Sequence, residues 1–260
     1  MRFLLLRALE GWSYDETHAI LAALPDLRRQ LGFRRLPAAP TVAALSARVP
    51  PTYFEQLIGE LARSTATEPT NLAGDGTGLT TRRFERWMDA KGRGGLRHIF
   101  VKLHALVSTR AQFPLFFAAR VSDGLTADVV ELPGLLRQIP SEVRLGNVVL
   151  DRGYIGKRIA QVVADRGGRP VIDLRSNITA TTTADGSPAW KSMVRGWFQD
   201  RREFRCRYRR RPVIEGVFGA FKDRFGARIR SRRLESQRTE ILARVAAWNL
   251  VAVSYHRGRT

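Results

Sequence analysis

Apolar positions in the first sixty residues recur at helical spacing. Ser13 and Glu16 have the form of a capping box, and Ile20, Leu21, Leu24, Leu27 and Leu31 follow on one face. Pro25 restarts that helix and Gly32 ends it, while Thr41 stands as a second cap before TVAALSARV. This predicts a small helical unit dotted with arginines, either a helix-turn-helix reader of DNA or a helical cap on the main domain. After STATEPTN the period changes. Asn71 to Gly74, HIFVKLHALVS and FPLFFAARVS read as three strands bounded by Gly, Pro or Ser, in sequence an antiparallel meander. LTADVVELPGLLRQI is helical, GNVVLD is a short buried strand, IGKRIAQVVADRG is helical and PVIDL is a strand, an alternation that predicts an α/β fold.

From Ser176 to Ser187 the chain is Thr-rich and aperiodic, which predicts a mobile surface segment. Beyond Pro212, the residues Ile214, Val217, Phe218, Phe221 and Phe225 form one apolar stripe. Pro212 suits the first turn of that helix. In the last segment, Leu234 to Tyr255, Ile241, Leu242, Val245, Trp248 and Leu250 stand at core spacing, so Trp248 reads as packing. No internal repeat is visible. A chain of 260 residues, 44% hydrophobic and 26% charged, has material for one catalytic domain with a small appendage. The boundary is expected at 67: residues 1–67 form the helical unit, and residues 68–260 the α/β domain with an insertion around 176–207.

Charge narrows the partners. The net charge is +20, from 44 Lys+Arg against 24 Asp+Glu, which favours a polyanion, and nucleic acid first. Five lysines leave 39 arginines, whose planar forks pair with phosphate; a GC-rich genome, which favours arginine codons, accounts for the choice equally well. Between residues 201 and 233 thirteen basic side chains face three acidic ones, so half the excess surrounds Glu215. Cys206 is the single cysteine, which excludes an intrachain disulfide and a CxxC zinc site and fits a reducing cytosol. The opening MRFLLLRALEGW is broken too soon by Arg7 for a signal peptide, and no apolar run spans a bilayer. A soluble, cytoplasmic protein is expected.

The candidate chemistry lies in three acidic residues. Asp75 in NLAGDGTG and Asp151 in GNVVLDRGY stand where strands should end, and Glu215 opens a helix. Two strand-end aspartates and a helical glutamate are what a two-metal phosphoryl-transfer site requires, because hard Mg²⁺ ions prefer oxygen ligands. Gly74 and Gly76 would let a phosphate backbone approach Asp75, with Thr77 near enough to donate a hydrogen bond. Each residue has a plainer alternative: an Asp-Gly hairpin turn at Asp75, a helix cap at Asp151, a solvated lysine at Lys222. Glu215 and Lys222 are seven residues apart, on one face but roughly 10 Å apart along the axis, too far to share an ion. Glu215 is then the metal ligand and Lys222 the holder of a neighbouring phosphate, with Tyr208 and Arg211 preceding the helix on the same side. Arg211 is one of seven arginines between Arg201 and Arg211, so its position alone singles it out least.

Asp151-Arg152-Gly153-Tyr154, together with Tyr208, Arg211, Glu215 and Lys222, resembles the DxGY and Tyr-Arg-Glu-Lys signatures of insertion-sequence DDE transposases. The resemblance extends over the Asp75 segment, the strands and, less specifically, the N-terminal helices. It implies an RNase H-like α/β fold, a mixed sheet flanked by helices with a small N-terminal helical domain, in which Asp75 and Asp151 lie on neighbouring strands and Glu215 comes alongside. It also implies the activity: cleavage at the element's terminal inverted repeats and transfer of the freed 3′-hydroxyl to target DNA. Asp75, Asp151 and Glu215 would be the catalytic ligands of two Mg²⁺ ions, which Mn²⁺ can replace, and Tyr208, Arg211 and Lys222 would contact DNA. The partner would be double-stranded DNA, with a homodimer holding two ends, in a nucleoid-associated protein. Many relatives have a histidine before the aspartate that follows the third strand; this chain has Ala127 before Asp128, a position expected to be peripheral. The start, with Met1 already inside an apolar helical pattern, fits a shortened N-terminus. Three rivals remain: another RNase H-like nuclease that cuts without joining, a disabled remnant that only binds DNA, and a basic RNA-binding protein.

Overall fold

The structure, a computed structural model, describes residues 1–66, 68–81, 100–109, 112–174, 178–179 and 186–258. Five helices come first: α1 (Arg2–Glu10), α2 (Tyr14–Ala23), α3 (Pro25–Gln30), α4 (Ala39–Ser46) and α5 (Pro51–Arg63). Ser13 does form the capping box with Glu16, and Gly32, at φ 71°, takes the left-handed conformation after α3. The expected cap at Thr41 is corrected. Pro40 sits comfortably in a first helical turn, so α4 begins three residues earlier, with Ala38 at the cap and Thr41 inside the helix.

Five strands follow: β1 (Thr70–Thr80), β2 (Phe100–Ser108), β3 (Phe116–Asp123), β4 (Leu145–Leu150) and β5 (Arg169–Ile172). They form one sheet in the order β3-β2-β1-β4-β5. β1, β2 and β3 are an antiparallel meander, whereas β4 and β5 run parallel to β1. Further helices among the described residues are α6 (Asp128–Gln138), α7 (Lys157–Asp165), α8 (Pro188–Gln199), α9 (Arg201–Tyr208), α10 (Pro212–Phe225) and α11 (Leu234–Arg257). The Thr-rich stretch expected to be mobile falls mostly outside the described residues. Within the expected insertion stand two helices, α8 capped by Ser187 and α9 capped by Asp200.

Alternation along each strand splits the core into two layers. One cluster joins Leu72, Leu106, Ala118 and Val148 to α6, α7 and α8, and a second joins Ala73, Ala105, Val107 and Phe116 to α10, α11 and helices of the N-terminal unit. The anticipated stripe on α10 holds: Ile214, Val217, Phe218 and Phe221 are buried, and Phe225 is half-buried. Trp248 packs edge-on to Phe116, and its indole N–H donates to the Pro114 carbonyl at 2.8 Å, which accounts for its one polar group. Among the described residues no helix is long and apolar enough to cross a membrane.

Candidate active site

β1 does not end at Asp75, contrary to the sequence expectation. It pairs with β2 as far as Thr80 and Phe100, but its pairing with β4 stops at Gly74 and Leu150. Asp75 and Asp151 are therefore each the first residue beyond the last β1–β4 pair, side by side where two parallel strands part company. There is no Asp-Gly hairpin turn, because Gly76 to Gly78 continue the ladder against His104 to Lys102.

Side-chain direction separates the neighbours of Asp75. Odd positions of β1 follow Ala73 and Leu79 toward α10, and even positions look toward α6. On the α10 side, Arg211 Nη2 donates to Asp75 Oδ2 at 2.8 Å, and Arg211 Nη1 donates to Glu215 Oε1. Arg211 is the cap residue of α10 and Glu215 lies in its first turn, so one guanidinium joins strand to helix. Asp75 exposes 16% of its side chain and Glu215 56%, so the first is fixed by packing and the second is free to meet a ligand. Asp151 accepts the Gly153 N–H through Oδ1 at 2.8 Å, capping a 3-10 turn at Arg152–Tyr154. The capping role is thus real, and it orients the carboxylate.

On the α6 side, Asp128 was not recognised in the sequence as part of the site. A Cβ on Gly76 would stand 1.9 Å from Asp128 Oδ1, so Asp128 occupies the space that this glycine leaves beside Asp75. Asp128 opens α6, after Ala127 at the cap. It is held by His104 Nδ1 and Lys102 Nζ, each at 2.7 Å. The other ring nitrogen of buried His104 lies 2.7 Å from Ser122 Oγ, which itself donates to the Asp123 carbonyl. The only signal available was an Asp after a turn whose partners sit two residues apart on β2.

Electrostatics follow from this packing. Burial pushes the Asp75 carboxyl up, against a hydrogen bond from Gly76 and the charge of Arg211, while Asp151 and Asp128 push it further. For Asp128 burial also acts upward, but His104 and Lys102 outweigh it and the carboxyl lies below its ordinary value. Burial, then Asp128, Asp75 and Asp151, push the Tyr154 phenol well up; among the described residues its buried hydroxyl has no hydrogen-bond partner. Tyr208 ends α9 half-buried, its phenol raised by burial and then by Asp173. Lys222 is also half-buried; burial lowers its ammonium, and no ion pair neutralises it among the described residues.

The donor chemistry fits a hard divalent cation. Carboxylates from β1 and α10 already converge on a positive charge, that of Arg211, with Asp151 adjacent to Asp75. Among the described residues, no three acidic or imidazole side chains are yet gathered closely enough to hold one ion. A guanidinium spans carboxylates that stand further apart than a shared ion requires.

A meander continued by two parallel strands, with helices on both faces and aspartates where the central pair diverges, defines an RNase H-like α/β protein. The chain belongs to the transposase DDE domain family, whose pattern matches residues 67–250, and it is a transposase of the insertion-sequence DDE type. No curated protein and no solved structure matches it. Enzymes of this family generally depend on a divalent metal, and their partner is DNA.

Proposed function

We propose that the protein cuts DNA at the inverted-repeat ends of an insertion sequence and transfers the freed 3′-hydroxyl into target DNA. The observation that carries this reading is the β1–β4 register, which sets Asp75 beside Asp151 with Glu215 tied to Asp75 through Arg211. Asp75, Asp151 and Glu215 are the catalytic carboxylates and would hold two Mg²⁺ ions, or Mn²⁺ in their place. When bound, the ions supply the positive charge that an in-line displacement at phosphorus needs. The chain's own groups position the reactants. Arg211 balances the carboxylates and offers its guanidinium to the phosphate beside the break, and the Tyr208 ring lies within reach of a distorted DNA end. Lys222, half-buried and without an ion pair among the described residues, suits a phosphate roughly 10 Å further along the same helix face.

Residues 1–67 are assigned to recognition of the ends and residues 68–260 to catalysis, with a homodimer holding both ends on DNA in the nucleoid. The N-terminal helices share a hydrophobic cluster with the sheet, so the two parts would move as one on DNA. The test is a plasmid carrying the gene's flanking DNA, incubated with the protein and Mg²⁺ or Mn²⁺ and scored for broken ends and joined products. Joined products establish the reading; cutting alone makes the protein a nuclease, and binding with neither makes it a disabled remnant. Lys222→Ala is expected to weaken duplex binding and to lower the slope of log affinity against log salt by about 1. An unchanged slope in a filter-binding series would return Lys222 to the class of solvated surface lysines.

A further inference from the structure

A second charged pocket opens at the other end of α10. Arg7 from α1, Gly226 at the end of α10, Arg228 and Arg230 beyond it, and Glu240 and Arg244 from α11 border a cavity of about 210 Å³. Four guanidiniums against one carboxylate leave an excess of three positive charges. Glu240 has no acceptor position left for a hydrogen bond to another of them. Its Oε1 accepts from the Arg230 N–H at 3.1 Å and from Arg244 Nη2 at 2.6 Å, and its Oε2 accepts from the Ser231 N–H at 2.9 Å and Ser231 Oγ at 2.6 Å. Those hydrogen bonds use the roughly four lone-pair positions of a carboxylate. Arg244 is committed as well, since it also donates to the carbonyls of Gly226 and Arg228 at 3.0 and 3.1 Å.

Arg7 is left over. It is only 6% exposed, its guanidinium lies 4.2 Å over the Tyr14 ring, and its buried Nε has no hydrogen-bond partner among the described residues. A buried cation with an unpaired donor is expensive, and in a pocket already this positive it calls for an anion. The carbonyl end of α10 also faces the pocket and opposes an anion, but with only about half a charge.

We propose that this pocket binds a phosphate group of the DNA strand that runs from the carboxylates along α10. The inference rests on the DNA-processing function proposed above. Gly226 lies eleven residues beyond Glu215, a spacing that returns to within about 20° of the same helix face. Glu215, Lys222 and Gly226 at the pocket's rim thus fall within one strip of the helix surface about 40° wide, at roughly 0, 10 and 16 Å along it. At 3.4 Å of rise per base pair, the pocket meets a phosphate roughly five base pairs from the break. The pocket joins α1 to α10 and α11, so a phosphate there would clamp the N-terminal helices to the catalytic domain.

The test uses the full-length protein and the double variant Arg228→Ala/Arg230→Ala, two exposed side chains whose loss leaves the core intact. Inorganic phosphate, titrated at constant ionic strength, is expected to raise the melting temperature of the wild type and not that of the double variant. The variant should also bind a duplex of the element's end about tenfold more weakly, and its salt slope should fall by about 1 for each phosphate no longer neutralised. Arg7→Gln, if folded by circular dichroism, should likewise lose the phosphate shift. A phosphate shift in the wild type with unchanged duplex binding by the variant would overturn the DNA assignment and make this a small-anion site. No shift and no change in duplex binding would overturn the pocket altogether. Weaker duplex binding by the variant, beside a wild type that neither cuts nor joins DNA, would uphold the pocket and remove the proposed activity instead.

Discussion

Asp151→Ala is expected to abolish cutting and joining of the element's ends, a loss on the order of 10³-fold or more, while duplex binding stays within a few-fold of the wild type. The fold should survive. Asp151 lies just past β4, half-buried, and its hydrogen bond is the cap it gives Gly153; losing such a cap costs about 1 kcal/mol. A dead enzyme of near-normal stability would therefore assign the loss to chemistry. Glu215→Ala should behave alike, since its side chain is more than half exposed and supports no packing. Asp75→Ala and Glu215→Ala each free one arm of Arg211, but Asp75 lies in a partly buried place, so there a modest loss of stability should accompany the loss of activity. The three variants are compared by thermal melting, gel-shift affinity and the plasmid assay. Cleavage that persists in any one of them removes that residue from the catalytic set.

Phe221→Ala is expected to cost about 3–5 kcal/mol, the largest single-residue loss of stability anticipated for this chain. Phe221 is fully buried, and its ring lies 5.7 Å from Phe116 on β3, 5.1 Å from Phe225 and 6.3 Å from Trp248 on α11. It is the point where α10 meets both the sheet and the last helix. The melting temperature should fall by roughly 10 °C, and denaturant titration should show the midpoint moving at constant slope. Because Glu215 and Lys222 ride on the same helix, activity at temperatures below the new midpoint should also fall. Phe225→Ala, half-buried at the helix end, provides the contrast and should cost about half as much or less. A loss below about 1 kcal/mol at Phe221 would mean that α10 is not anchored there and that the position of Glu215 has another cause.

The elements were largely legible because periodicity records which face each segment buries. The capping box at Ser13, the stripe on α10 and the core spacing of α11 are local patterns that required only counting. Asp75, Asp151 and Glu215 stood out for a similar reason, since each sits at a local signal: a glycine-flanked strand, the end of an apolar run, the first turn after a proline. Less legible was the extent of β1. Thr77-Gly78-Leu79-Thr80 looks like a poor strand by composition, and its ladder to β2, with a bridge from Thr80 to Arg228, keeps it extended. The insertion was read mainly from its Thr-rich start, so α8 was missed although Trp190, Met193 and Val194 are buried in it.

Composition and order along the chain were enough to specify an α/β domain behind helices and to single out a basic stretch and three acidic residues as candidates for phosphoryl transfer. Three-dimensional packing was needed to decide which of those residues meet. The strand register puts Asp75 next to Asp151, and a missing side chain at Gly76 admits Asp128 with its His104 and Lys102 partners. Packing of α10 against β1 picks Arg211 out of seven arginines, and packing of α1 against α11 leaves the Arg7 Nε buried with no acceptor among the described residues. The physical division is between short and long range. Hydrophobic period and capping are set by residues a few positions apart, whereas charge pairing and pocket formation depend on which faces of distant segments are pressed together, and that is fixed only once the whole core has closed.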